Sequence, residues 1–176
     1  MKVKVLICSL IMILILSSCG ARDADNTTTP DFPVDPDKIL VGADGYEKEI
    51  LPESEEYNKI LALIKERANK SEELGRMLLD AHDPDSGKHL SYELRESEVF
   101  VEFIYDECKS QNFDLLQSGS VTTEEINVNR IFFSLTRTYH DCFFIGKDAE
   151  YKDAITVGPL ADNTELITYV RDLVAP

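Results

Sequence analysis

The chain has no G-x-S-x-G elbow, no phosphate-binding P-loop, no G-x-G-x-x-G turn and no H-E-x-x-H pair. The commonest sequence signatures of hydrolases, nucleotide binders and zinc proteases are therefore absent. Ser, His and Asp are all present, but no spacing singles out a triad, so an enzyme is the weaker expectation. The chain is also short of positive charge. Its 18 Lys and Arg stand against 33 Asp and Glu, a formal net charge of −15. Such a surface is repelled by nucleic acid, by anionic membranes and by polyanionic wall polymers, which excludes nucleic-acid binding. It fits a solvated, soluble face, and beyond that a basic partner, a cation or a cationic peptide. Long hydrophobic runs are missing as well. The apolar run Val5–Leu16, interrupted only by Cys8 and Ser9, would make a helix of about 18 Å. The hydrocarbon core of a bilayer is about 30 Å thick, so this run is too short for a permanent span.

What is present at the start is more specific. Lys2 and Lys4 precede the apolar run, and Leu16-Ser17-Ser18-Cys19 follows it. A basic start, a short apolar core and small residues before a cut site describe a secretory signal. Leu-Ser-Ser-Cys resembles the lipobox of bacterial lipoproteins. The resemblance implies that residues 1–18 are a signal peptide, that the cut falls before Cys19, and that the Cys19 thiol carries a lipid. Loss of Lys2 and Lys4 takes the side chains of residues 19–176 to a net −17. Two acyl chains hold a protein firmly, because each buried methylene contributes about 0.8 kcal/mol. The expected location is the cell membrane, facing outside the cytoplasm.

Residues 20–36, GARDADNTTTPDFPVDP, are small, polar, acidic and proline-bearing, with Phe32 and Val34 as the only bulky apolar groups. Such a segment buries too little surface to offset its ordering entropy, so residues 19–36 read as a lipidated Cys and an acidic stalk. Residues 37–176 then form one extracytoplasmic domain. With Cys8 removed and Cys19 lipidated, Cys108 and Cys142 remain in it. An oxidising compartment allows a disulfide between them. The alternative is a pair of buried apolar thiols.

Within the domain, residues 38–51 predict a hairpin with Asp44-Gly45 at its turn. Ser54 is a plausible N-cap for a helix whose Tyr57, Ile60, Leu61, Ile64 and Ala68 share one face. Ser71 would cap a second short helix carrying Leu74, Met77 and Leu78. Residues 80–90 read as a loop because of Asp83-Pro84 and Ser86-Gly87. Strands follow over 98–106, 127–136, 139–145 and 154–157, with Val99, Val101, Phe103 and Tyr105 on one face of the first. A last helix spans about 163–174. Strands joined by short connections predict an α+β domain, an antiparallel sheet with helices packed on one face.

Two candidate surfaces arise. The loop gathers Asp80, His82, Asp83, Asp85 and His89, side chains that ligate divalent cations. However, Asp83-x-Asp85-x-Gly87 lacks the remaining ligands of a calcium loop, and the same residues suit an ordinary exposed turn. The neighbouring pairs Phe132-Phe133 and Phe143-Phe144 must point to opposite sheet faces. If helices cover one face alone, an aromatic strip is exposed as a binding surface. The alternative is a sheet covered on both faces.

The layout of Leu16–Cys19, the stalk to Pro36, Ile39–Ile64, Val99–Asp106 and Ile131–Gly146 is similar to small surface lipoproteins of Gram-positive bacteria such as clostridia. That resemblance implies no particular activity. The expectation is a tethered protein-interaction module, an accessory or inhibitor of an exported protein. A small-ligand or divalent-cation binder is the second expectation, and an envelope hydrolase the third.

Overall fold

The computed structural model describes residues 32–71, 74–77, 82, 87–151, 154–162 and 164–176. Strands β1 (Lys38–Ala43) and β2 (Tyr46–Ile50) form the expected hairpin. Asp44 and Gly45 take φ of 52° and 82°, the left-handed pair that a tight hairpin requires. Helix α1 (Glu55–Asn69) starts at Ser54, whose hydroxyl accepts from the Tyr57 N–H at 3.1 Å. Its Tyr57, Ile60, Leu61, Ile64 and Ala68 are buried, as the spacing predicts.

The second short helix expected after Ser71 is replaced by strand β3 (Gly75–Met77). Backbone pairing accounts for this: the Leu116 N–H donates to the Leu74 carbonyl at 2.6 Å on one side, and Gly75–Met77 pair with β7 on the other. A two-turn helix α2 (Ser91–Ser97) follows, then the long strands β4 (Phe100–Gln117) and β5 (Ser120–Ser134). A 3-10 turn (Arg137–Tyr139), β6 (Phe143–Gly146), β7 (Ile155–Gly158) and α3 (Thr164–Val174) complete the chain.

The seven strands make one mainly antiparallel sheet in the order β2-β1-β4-β3-β7-β6-β5, and β5 also pairs with β4. One edge of β4 carries β1 at its start and meets β3 at Leu116, so the sheet curls back on itself. A bulge between Ile104 and Lys109 permits the bend, because four residues of β4 lie opposite Asn129 alone. Aromatic side chains fill both faces. Phe103, Phe133 and Phe143 point into the larger core with α1 and the buried Leu166 and Val170 of α3. Phe100, Phe132, Phe144 and Tyr151 point the other way, into a smaller core closed by Leu94 of α2. The fold is the expected α+β domain, with the two long helices on one face and α2 closing the other.

The last residues of the expected stalk are part of the domain. Phe32 lies 4.8 Å from the Phe113 ring and 5.4 Å from that of Phe143. The Tyr57 hydroxyl donates to the Pro36 carbonyl at 2.5 Å, and the Tyr105 hydroxyl to that of Val34 at 2.8 Å. The reason lies in composition, since Phe32 is the one aromatic group in the acidic segment and the Phe113 and Phe143 rings receive it. The domain therefore includes residues 32–36, and the boundary at residue 37 moves accordingly.

Candidate functional site

The covered sheet settles the question of the aromatic strip. Phe100, Phe103, Tyr105, Phe132, Phe133, Phe143 and Phe144 are all buried. The exposed large apolar residues among those described are Val34, Tyr46, Leu51, Met77, Tyr92 and Val121, and none belongs to those aromatic strands' Phe pairs.

The two cysteines do not pair. Both are free, Cys108 exposed in the β4 bulge and Cys142 buried in the smaller core. The bulge turns residue 108 to solvent, so of the two alternatives, a bridge or a pair of buried thiols, only the Cys142 half of the second is seen. The Cys142 thiol donates to the Tyr139 carbonyl at 3.4 Å, and burial pushes its pKa up to about 12. A thiol so protonated is a poor nucleophile.

Of the loop side chains singled out by sequence, Asp80, Asp83 and Asp85 lie outside the described residues. His82 and His89 face each other across an antiparallel bridge, their rings edge to face at 5.2 Å. No group of three His, Cys, Asp or Glu converges as a metal centre among the described residues. His89 is only 1% exposed. Its ring stacks on Tyr151 at 5.2 Å and meets the edge of Phe144 at 4.9 Å.

The local chain explains how His89 is held. It stands just before Leu90, the N-cap of α2, where backbone N–H groups lack helical partners. The ring folds back, and Nδ1 accepts from the Ser91 N–H at 3.1 Å while the Ser91 hydroxyl lies 3.0 Å away. A backbone N–H always donates, so Nδ1 is the acceptor and the proton of the neutral ring sits on Nε2. Nε2 is buried and has no partner among the described residues. Burial, and secondarily the neighbouring His82, push the His89 pKa down to about 4. His89 is thus a neutral donor, and ligating a cation through Nε2 would require the opposite tautomer and loss of the Ser91 bond.

The Tyr151 ring on which His89 stacks is itself buried and hydrogen-bonded. The buried Tyr151 hydroxyl donates to Glu102 Oε1 at 2.8 Å, and Arg95 donates to Glu102 Oε2 at 2.5 Å. Glu102 is fully buried. Burial, then the Glu102 carboxylate, hold the Tyr151 phenol well above its ordinary pKa. Gly146 is required beside this ring, because a Cβ there would stand 2.7 Å from Tyr151 Cδ1.

His89 lines a cleft of about 300 Å³ together with His82, Gly87, Lys88, Tyr92 and Glu150. A second cleft, of about 370 Å³, lies between the 3-10 turn and the start of α3. Leu135 and Ile167 are its apolar lining, with Thr136, Arg137, His140, Asp162 and Thr164. There the polar groups satisfy one another. Glu98 accepts from Thr136 Oγ1 and pairs with Arg137 Nε at 3.1 Å. His140 Nδ1 lies 2.6 Å from the Arg137 carbonyl, and its Nε2 lies 3.5 Å from Asp162. Cys142 bonds elsewhere, and neither Ser nor Cys lines this second cleft. The first cleft differs in having beside it a buried donor with no partner among the described residues.

Sequence reasoning found His82 and His89 through their side-chain type. It missed Tyr92, Glu150 and the supporting Tyr151, Glu102 and Arg95. Glu150 and Tyr151 come from a turn some sixty residues further on, and no local spacing announces that meeting. No protein-family model matches the chain, and no curated protein or solved structure matches it.

Proposed function

We propose that this chain is a lipid-anchored extracytoplasmic protein whose domain binds a small polar ligand in the cleft at His89. The anchor rests on the Lys2–Cys19 pattern. One observation carries the binding reading: His89 Nε2–H is a buried donor without a partner among the described residues, on a ring that lines an open cleft. An unsatisfied buried donor costs about 1–3 kcal/mol, and an acceptor brought by a ligand removes that cost. The interaction-module reading has lost the exposed aromatic strip that it needed, so the small-ligand reading takes precedence. Cation binding stands behind it, because Nδ1 is already engaged by Ser91.

The test is a screen of small polar metabolites against the mature lipidated chain in detergent, read by thermal shift. The expected result is at least one ligand that stabilises the wild type and not the Tyr92→Ala and Lys88→Ala variants. Hits that act equally on all three proteins would refute the cleft. For the anchor, fatty-acid labelling in cells is expected for wild type and absent for Cys19→Ala.

A further inference from the structure

The histidine of the second cleft is held the opposite way round to His89. His140 follows the 3-10 turn, and its Nδ1 lies 2.6 Å from the Arg137 carbonyl. A carbonyl oxygen only accepts, so Nδ1 carries the proton and Nε2 of the neutral ring is a lone pair. That lone pair faces Asp162 Oδ1 at 3.5 Å, just before the start of α3. Two acceptors that face each other repel unless a positive centre stands between them. One such centre is a proton, which makes the pair a charge-assisted hydrogen bond. Bonds of that kind close to about 2.7–2.9 Å, and this gap is wider. The other is a metal ion. Ligands about 2.0–2.2 Å from a tetrahedral Zn²⁺ stand about 3.3–3.5 Å apart. The observed 3.5 Å falls at the upper end of that span. The backbone carbonyl behind Nδ1 is the outer partner that metal-binding histidines ordinarily have. Both side chains reach solvent, so an ion can enter. Two arginines stand nearby, and each is countered. Arg137 pairs through Nε with the buried Glu98, and the buried Arg67, which faces Asp162, also faces Asp141.

We infer that His140 Nε2 and Asp162 hold a divalent transition-metal ion of the zinc class, across the gap between the 3-10 turn and α3. This site is separate from the His89 cleft and does not rest on the reading given there. One imidazole nitrogen and one carboxylate suit Zn²⁺ and its neighbours rather than Mg²⁺ or Ca²⁺, which take oxygen ligands. Two protein ligands leave the other positions to water, or to a donor group of a small molecule in the cleft of about 370 Å³. The centre is thus an open one, unlike the closed four-ligand sites that only hold a fold together. The net −17 of residues 19–176 draws cations toward the domain as a whole.

The experiment uses the mature lipidated chain, labelled with ¹⁵N, in detergent micelles and mildly alkaline buffer, after treatment with a chelator and its removal. Long-range ¹⁵N–¹H spectra of the histidine rings should place the His140 proton on Nδ1. Zn²⁺ and Mg²⁺ are then titrated into separate samples. Zn²⁺ is also titrated into Cys108→Ser, which removes an exposed thiol able to compete for it. The expected result is that Zn²⁺ shifts His140 Nε2 in both proteins, keeps the proton on Nδ1 and leaves the His89 ring in place, while Mg²⁺ has no effect. Asp162→Asn should weaken the Zn²⁺ response more than about tenfold, since loss even of an outer partner costs that much. The Asp162 side chain is exposed, so this variant is expected to fold.

A His140 proton found on Nε2 removes the lone pair and overturns the inference. So does a His140 ring that Zn²⁺ leaves unmoved, which means that a proton alone bridges the pair. If Zn²⁺ moves the His82 and His89 rings instead, the cation belongs to the first cleft and this site is wrong. A His140 shift that disappears in Cys108→Ser makes the thiol the ligand and overturns the pair. An equal response to Mg²⁺ overturns the zinc class. Unchanged Zn²⁺ affinity in Asp162→Asn removes Asp162, and with it the two-ligand site. Should that variant fail to fold, the wild-type titration decides by itself. An unmoved His140 ring leaves the His89 reading standing, because the metabolite screen tests that reading separately.

Discussion

Acid should weaken this fold through His89 before it touches most of the surface. An ordinary histidine titrates near 6.5, and burial pushes His89 down to about 4. As pH falls through 6.5 the unfolded chain takes up a proton at this position, while the folded chain resists until about 4. The unfolded state therefore binds more protons across that window, and stability falls with falling pH there. His89 costs the fold nothing extra at pH 7, and below about 4 its effect is complete. Each pH unit is worth about 1.4 kcal/mol, so the full window amounts to about 3 kcal/mol, and the step from pH 7 to pH 5 to about 2 kcal/mol. The assay is urea unfolding at pH 7, 6 and 5, for wild type and for His89→Gln, in which nothing titrates at this position. Both proteins carry the same other groups, so those contributions cancel in the comparison. The variant is expected to be less stable at pH 7, because it loses the stack on Tyr151. Its stability should fall by about 2 kcal/mol less than that of wild type between pH 7 and 5. Parallel pH profiles would refute the buried neutral ring. Should the variant fail to fold, the wild-type ring decides by NMR titration: a midpoint near 6.5 sinks the reasoning, and one near 4 supports it.

Other consequences follow from the packing. Gly146→Ala places a Cβ 2.7 Å from Tyr151 Cδ1. It should destabilise the fold by about 1–3 kcal/mol in urea melts and shift the NMR signals of His89, whose ring lies on Tyr151. Phe32→Ala should cost about 1–2 kcal/mol, less than a fully buried Phe because the ring is only half-buried. No loss of stability would show that residues 32–36 are outside the cooperative unit. In the mature lipidated chain, with no reductant added, a thiol reagent should modify Cys108 alone under native conditions and Cys142 as well in denaturant. Two thiols protected in denaturant would reveal a disulfide instead. Cys19→Ala should release the protein from the membrane fraction, and continued membrane pelleting would remove the proposed anchor.

Where the fold depends on local pattern, the sequence is legible. The Asp44-Gly45 hairpin, the Ser54-capped helix and the alternation Val99, Val101, Phe103, Tyr105 all appear as read. The misreadings have physical causes. Residues 107–117 carry the alternation Gln111, Phe113, Leu115 toward the core, and Ser118-Gly119 close the hairpin with φ of 51° and 83°. The four-residue bulge breaks the period just before that stretch, so β4 reads as ending near Asp106. Helix α2 is short, with Leu94 as its one buried apolar side chain, and gives no helical stripe to detect. At the site, side-chain type picked out His82 and His89, but the chemistry inferred was a cation's. With Nδ1 accepting from the Ser91 N–H, His89 presents a donor, and that tautomer depends on one backbone N–H two residues away, which composition does not reveal.

The energetics around Tyr151 suggest why the cleft stays formed without a ligand. Tyr151 sits at a φ of 56°, a left-handed conformation that costs a side-chain-bearing residue roughly 1–2 kcal/mol. Its hydroxyl bonds a carboxylate at 2.8 Å in a fully buried setting, a contact worth about 1.5–3 kcal/mol, enough to offset the strain. Arg95 balances the Glu102 charge, and His89, Phe144 and Phe132 pack around the ring. Among the described residues, the Tyr151 hydroxyl and both Glu102 oxygens have partners, while His89 Nε2 and the nearby Arg130 Nε have none. The His89 N–H is thus held beside neighbours that are themselves bonded. A ligand need not order these groups in order to bind, which keeps the entropic cost of association low. The acceptor it brings recovers the roughly 1–3 kcal/mol that the empty chain forgoes, equivalent to between about fivefold and a hundredfold in affinity.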